Sequence, residues 1–257
     1  MYKHRIEMHN STSAKEVVPI ILSFFQPKSV VDIGCAYGAW LSVFKEFGIE
    51  TILGVDGNNV DSKNLFIEES EFIPFNLEDF FLYNNEFDLV ISLEVAEHLH
   101  ESASDNYIKT LVSLGKVILF SSAIPNQGGD GHINEQWHSY WQKKFKTYDY
   151  EYYDVIRPLI WFNDKIDWWY RQNIFFVIHK SINVQFEKQN HILSAFHPYW
   201  FNKYKYLAQK LEQDNKELKD ELLAKTKKIE RILNGYDGIK KSIIILCKSV
   251  KNRFRHI

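Results

Sequence analysis

The sequence has no run of about 18 uncharged apolar residues, and its opening stretch, MYKHRIEMHNSTSAKEVV, holds no apolar segment of the kind a secretory signal requires. Neither a membrane-spanning helix nor export is expected, and the protein is read as cytoplasmic. Cysteine is scarce: Cys35 and Cys247 are far apart and form no metal-ligand spacing, which fits a reducing compartment and argues against a disulfide. Net charge is also small, at −2, but it is unevenly spread. Residues 203–257 hold 15 of the 31 Lys and Arg but 7 of the 33 Asp and Glu, a net +8 against −10 for the first 202.

Apolar material is plentiful. With 45% hydrophobic and 16% aromatic residues, a chain of 257 residues can bury a full core. One large domain over 1–202 and an appendage over 203–257 are expected. Short β-rich runs alternate with helical stretches. SVVDIG (29–34), TILGVD (51–56), FIPFN (72–76), FDLVISLE (87–94) and KVILFSSA (116–123) are nearly continuous apolar runs, as for strands buried on both faces of a parallel sheet. Between them, residues 39–48 place Trp40, Leu41, Phe44 and Phe47 at helical spacing and stop at Gly48, a capping residue; residues 103–115 repeat that design. A helix over 134–147 has Asn134 as N-cap and Trp137, Tyr140 and Trp141 as its core face. Two more runs, 150–158 and 173–180, complete the set. The expected fold is α/β, a doubly wound, seven-stranded, mostly parallel sheet with a C-terminal helical extension.

Ligands of such sheets sit beyond the carboxyl ends of the strands. The first strand runs out in VVDIGCAYGAW, where Gly34 frees the backbone to turn and Gly38 lets a ligand or the helix approach, with the N–H groups of a helix start behind them. The turn by itself suits a dinucleotide site, or no ligand, equally well. Asp56 ends the second strand about 20 residues on, where a carboxylate accepts hydrogen bonds from ribose hydroxyls. A dehydrogenase is the poorer reading, because its G-x-G-x-x-G fingerprint needs a middle glycine and this chain reads G-C-A-Y-G.

Together, VVDIGCAYG, GVDG, FNLED, FDLVISLEVAEHL and KVILFSSAIP resemble, in order and spacing, the five motifs of the class I S-adenosylmethionine-dependent methyltransferases, over roughly residues 15–182. The resemblance implies a Rossmann-like methyltransferase fold with S-adenosylmethionine as cofactor. Carried over, it assigns Asp32, Gly34, Tyr37 and Gly38 to the methionine and ribose part, Asp56 to the ribose hydroxyls, Asn76 and the backbone N–H of Leu77 to the adenine, and Glu94 to the methionine end. Ala36 stands where the family often has glycine, and Asn76 where it often has aspartate; Asn76 still accepts a hydrogen bond from the adenine amino group.

EVAEHLHE is expected to head a helix with Glu94 and His98 at i, i+4 on one face. In one reading Glu97 simply favours the first helical turn. A similar E-x-x-E-H occurs in small-RNA 2′-hydroxyl methyltransferases, with a later histidine as a metal ligand, and in some quinone O-methyltransferases; a divalent cation is therefore an alternative here, though not the favoured one. Beyond the fifth strand, SSAIPNQGGDGHINEQWHSYW makes a mobile turn at Pro125, Gly128, Gly129 and Gly131, and leaves His132 and Glu135 with no structural duty. A hydroxyl acceptor must lose a proton, so His132 and His98, with Glu97, are the catalytic candidates.

IPNQGGDGHINEQW resembles methyltransferases of bacterial surface-glycan synthesis, which implies a capsule or glycan precursor as acceptor, at a sugar hydroxyl or a phosphoramidate-type substituent. The alternatives are RNA or small-molecule O-methylation with a metal, and a noncatalytic recruitment module. Nucleic acid is disfavoured, since a groove for phosphates should be basic. In the tail, Tyr204, Leu207, Leu211, Leu218, Leu222, Ile229 and Ile232 recur at three- and four-residue steps, interrupted by Asp214 and Lys225, in the manner of an imperfect coiled coil for self-association or docking. Residues 239–257 add SIIILC with Lys240, Lys241, Lys248, Lys251, Arg253 and Arg255, a basic amphipathic stretch suited to an anionic membrane surface at the inner face of the membrane.

Overall fold

The computed structural model describes residues 10–57, 60–187 and 194–253, so the first nine residues and the end of the basic stretch, including Arg255, lie outside the described residues. The chain divides into two compact units, with the division between Trp200 and Phe201.

In the first unit the elements run α1 (Thr12–Phe24), β1 (Ser29–Ile33), α2 (Ala39–Glu46), β2 (Thr51–Asp56), β3 (Phe72–Pro74), β4 (Leu89–Leu93), α3 (Ser104–Leu114), β5 (Val117–Ser121), α4 (His138–Lys146), β6 (Tyr150–Tyr153), α5 (Arg157–Ile160), α6 (Trp168–Asn173) and β7 (Phe175–His179). The seven strands form one sheet in the order β3-β2-β1-β4-β5-β7-β6. β1 to β5 pair in parallel, while β7 runs antiparallel to both β5 and β6. Every residue of β4 and β5 is buried, which is why they read as unbroken apolar runs. On one face, α1 and α2 cover the sheet with Val17, Val18, Ile21, Leu41 and Phe44. On the other, α3 and α4 do so with Tyr107, Ile108, Leu111, Trp141 and Phe145. Each such fully buried side chain contributes about 1.5–3 kcal/mol relative to exposure.

The chain order reverses between β1 and β4, which opens a crevice at the carboxyl ends of those strands. α2 stops as expected, with Gly48 in the left-handed region at φ +89. The α4 helix departs from expectation. Its N-cap is Trp137, in extended conformation, and Asn134 is no cap. The buried Asn134 amide donates instead to the Ala96 carbonyl (3.4 Å) and the Ser104 hydroxyl (3.3 Å). Trp141 is buried, but Trp137 is 42% exposed, so the aromatic stripe is only partly core. β6 ends at Tyr153, before the expected limit, because Pro158 sits in the first turn of α5.

The second unit belongs to α7 (Pro198–Arg253), which starts ahead of the expected tail boundary, with a proline at its first position. Among the residues whose burial is described, its apolar side chains from Phe201 to Leu246 are exposed, including Leu207, Leu211, Leu218, Leu222, Ile229, Ile232, Ile239, Ile243 and Leu246. Among the described residues, no helix is long and apolar enough to cross a membrane.

Candidate active site

The turn after β1 is built by the ends of its neighbours. The N–H groups of Gly34 and Cys35 donate to the Val55 carbonyl (2.8 and 3.3 Å). The Asp56 carboxylate accepts from the backbone N–H of Ala36 and of Gly57, each at 2.6 Å. Gly34 is at φ +91, and a Cβ there would lie 2.3 Å from Val95 Cγ2, so glycine is required on both counts. At Gly38 (φ +79) a Cβ would lie 2.9 Å from Ile67. Ala36 also sits in the left-handed region, at φ +48, which costs a residue with a Cβ about 1–2 kcal/mol. That conformation accounts for the family's frequent glycine at this position.

Asp32 lies buried at the β1 end, and burial first, then the Asp56 charge beside it, push its pKa well above the usual carboxylate range. Tyr37 is also buried. After β3, Asn76 is exposed; its amide donates to Asp79 (2.9 Å) and its side-chain oxygen accepts from the Glu78 N–H (3.4 Å), while the Leu77 side chain packs into the core.

Glu94 and His98 do not share a helical face. Ala96–His98 is a single tight turn, and Glu94 is itself left-handed at φ +55, held by its N–H to Ser121 (3.1 Å to the carbonyl, 3.0 Å to the hydroxyl). Its carboxylate receives the amides of Gln127 (3.2 Å) and Asn173 (3.2 Å). Burial raises its pKa, against the opposing pull of hydrogen bonds from Ser121 and Asn173 and of the His132 charge. Behind these amides, the Gln172 amide donates to Gln127 (3.1 Å) and the His138 ring meets Asn173 (3.2 Å). Nothing local in the sequence signals this network, because its members come from β4, the loop after β5, α4 and α6.

Glu97, His98 and His132 are brought together. The Glu97 carbonyl accepts the N–H groups of Ile133 (2.9 Å) and Asn134 (3.0 Å), which lashes the loop after β5 to the turn after β4. The His98 and His132 rings meet edge to face at 4.8 Å, and His98 Nδ1 contacts the Gly131 carbonyl at 3.3 Å. One ligand atom from each of Glu97, His98 and His132 lies within 4.8 Å of the others. Glu97 is fully buried, and its carboxylate makes no hydrogen bond of ordinary geometry, facing only the backbone N–H groups of Glu97 and Ala123 and the Glu94 side chain. Burial first, and the neighbouring Glu94 charge second, push its pKa well up.

The loop over 125–135 is fastened rather than free. Glu135, which sequence reasoning left without a duty, accepts from the N–H groups of Asn126 (2.7 Å) and Gly128 (2.8 Å) and pairs with His132 Nδ1 (2.9 Å). Gly129 passes so close to His132 that a Cβ would lie 2.2 Å from Nε2.

Acids at the ends of three neighbouring parallel strands, a glycine turn and a polar cluster beyond β4 and β5 are the arrangement of a class I methyltransferase. The methyltransferase-domain family matches residues 9–190, and the chain belongs to it. Members of that family use S-adenosylmethionine, and the row of carboxyl groups of Asp32, Asp56 and Glu94 suits a ligand with ribose hydroxyls and with cationic sulfonium and ammonium groups, whose charge favours the ionised acids. No curated protein sequence matches the chain. Among solved structures it is similar to a putative O-methyltransferase from Nostoc punctiforme (12% identity, 66% of this chain and 56% of that one, TM-score 0.47), so it spans little more than half of that protein. It is also similar to Streptomyces venezuelae DesVI (11% identity, 66% and 91% coverage, TM-score 0.49) and to the methyltransferase domain of bacterial CtHen1 (18% identity, 68% and 99% coverage, TM-score 0.49).

Proposed function

We propose that the protein is an O-methyltransferase acting on a small-molecule or bacterial surface-glycan precursor, and that Glu97, His98 and His132 prepare the acceptor oxygen. The observation that carries this reading is Glu97, a fully buried acid with no hydrogen bond of ordinary geometry, set among two imidazoles within ligand distance. Carboxylate and imidazole are the donor set of a divalent cation, and a cation gives a buried acid the partner that burial otherwise denies it. Glu97, His98 and His132 would hold it, and when bound it supplies Lewis acidity to an acceptor hydroxyl.

The residues do the rest by position. The turn at Ala36, clasped by Asp56, fixes the cofactor end, and Glu94 offers its carboxyl group to the methionine end. The loop over 125–135 brings His132 to the acceptor side. When bound, S-adenosylmethionine would supply an electrophilic methyl carbon with a neutral thioether as leaving group, and the residues on either side would hold the acceptor oxygen in line with it, so alignment would supply most of the acceleration. The acceptor's proton must also leave. A second reading gives that task to His132 alone, without a cation, and is favoured by its pairing with Glu135, which orients the ring as bases are oriented. The glycan class rests on the resemblance of IPNQGGDGHINEQW and on the −10 charge of the first 202 residues, which disfavours RNA.

The two readings separate by calorimetry of Mn²⁺ into the full chain saturated with S-adenosylhomocysteine. The cation reading expects one site, weakened about tenfold or more by His98→Gln, His132→Gln or Glu97→Gln. Absence of Mn²⁺ and Mg²⁺ binding leaves His132 as the base. Failure to bind S-adenosylhomocysteine at all would remove both.

A further inference from the structure

We propose that Glu135 is the positioning residue of this site, setting the tautomer of His132 and the closed shape of the loop over it. The inference rests on the reading of His132 given above and deepens it. One carboxylate makes three bonds within one loop: Oε2 accepts the Asn126 N–H at 2.7 Å, while Oε1 accepts the Gly128 N–H at 2.8 Å and meets His132 Nδ1 at 2.9 Å. The loop that it gathers contains three left-handed residues, Asn126 (φ +66), Gly128 (φ +70) and Gly131 (φ +74). The loop is fastened at its ends by the Gln127 N–H to the Ile124 carbonyl (3.0 Å) and by Ile133 and Asn134 to the Glu97 carbonyl, and Glu135 gathers the N–H groups of Asn126 and Gly128 between them.

The same bond decides the chemistry of the ring. A carboxylate only accepts, so His132 Nδ1 must carry a proton, and in the neutral ring the lone pair then belongs to Nε2. Both tasks proposed for His132, holding a cation and taking a proton, require a lone pair on a ring whose orientation is fixed. Glu135 supplies both conditions while His132 and Glu135 are themselves largely shielded, at 12% and 18% side-chain exposure. Burial at that level makes the pair stronger than a surface ion pair. Gly129 meets the Nε2 edge of the ring, so the held ring and the small residue above it are complementary. Glu135 touches neither cofactor nor acceptor in this scheme; it acts through His132.

The test is ¹⁵N NMR of the imidazole nitrogens in the full chain, at a pH where the ring is neutral, with the His132 signals assigned by His132→Gln. The expected pattern is Nδ1 protonated and Nε2 bare in the wild type. Glu135→Ala should release the ring to the Nε2–H form that free histidine prefers, and Glu135→Gln, whose amide oxygen in the Oε1 place still accepts from His132 and Gly128, should keep the wild-type tautomer although its amide nitrogen leaves the Asn126 N–H without this acceptor. Mn²⁺ affinity should fall about 10- to 100-fold in Glu135→Ala and recover in Glu135→Gln. A wild-type Nε2–H form overturns the proposal without any variant, so it stays testable even where Glu135→Ala does not fold. An unchanged tautomer, or an unchanged Mn²⁺ affinity, in folded Glu135→Ala overturns it too. If the wild type binds no Mn²⁺, the cation reading falls, and the tautomer pattern still decides the role of Glu135.

Discussion

Removing the Asp56 carboxylate should damage the fold and the cofactor site together. Asp56 is 6% exposed, and it accepts one backbone N–H from Ala36 and one from Gly57, both at 2.6 Å. In Asp56→Ala both donors stay where they are and lose their acceptor. The buried Ala36 N–H left unsatisfied costs about 1–3 kcal/mol and the part-buried Gly57 N–H, which water reaches, adds less, so the pair costs about 2–4 kcal/mol. A domain has about 5–15 kcal/mol in all, so the variant should remain folded at low temperature but melt on the order of 10 °C lower. The turn that loosens is the one expected to carry ribose and methionine, so saturating S-adenosylhomocysteine should raise the melting temperature of the variant much less than that of the wild type. Scanning calorimetry with and without S-adenosylhomocysteine reads both effects. An Asp56→Ala protein that melts within about 1 °C of wild type, with the same ligand-induced rise, would refute the reasoning: the acid would be neither the clasp of the turn nor part of the cofactor site.

Three further outcomes are expected. Gly129→Ala puts a Cβ 2.2 Å from His132 Nε2, so the ring or the loop must move; Mn²⁺ binding should weaken while S-adenosylhomocysteine binding persists, and calorimetry showing both unchanged would contradict the packing. His138, buried and beside the Arg157 charge, has its pKa lowered to about 3. The unfolded chain therefore binds the extra proton first, and stability should fall by about 1.4 kcal/mol per pH unit as pH drops from the ordinary histidine range towards 3. Urea denaturation across that window should show a shallower fall in His138→Gln, and parallel curves would refute the assignment. A chain ending at Trp200 should still bind S-adenosylhomocysteine, whereas only the full chain should sediment with vesicles containing anionic lipid, through the exposed Ile239, Ile243 and Leu246 and the lysines beside them. Loss of ligand binding on truncation, or equal sedimentation of the two chains, would count against this division of labour.

The seven strands and the site they frame differ in how much of them the sequence alone could reveal. A strand buried on both faces must be apolar throughout, and a helix must show one apolar face, so β1, β2, β4, β5, α2 and α3 were legible from local pattern. Asp56 followed from the same pattern, because parallel topology puts every carboxyl end on one side, while Asp32 and Glu94 came from the resemblance of the strand-end motifs to those of the family. The polar partnerships were not legible. Asn134 looked like a cap and became a bridge between Ala96 and Ser104; Glu94 looked helical and became a left-handed residue held by Ser121, Gln127 and Asn173. Glu135 looked idle and became the clasp of its loop. Hydrophobic periodicity is a property of neighbours in the chain, set by the pitch of helix and strand. A buried polar group bonds to whatever the fold delivers to it, often from a distant segment, so the sequence by itself determined the sheet and its acidic ends, and only the tertiary structure decided which side chains hold Glu94 and His132 in place and which imidazoles face Glu97.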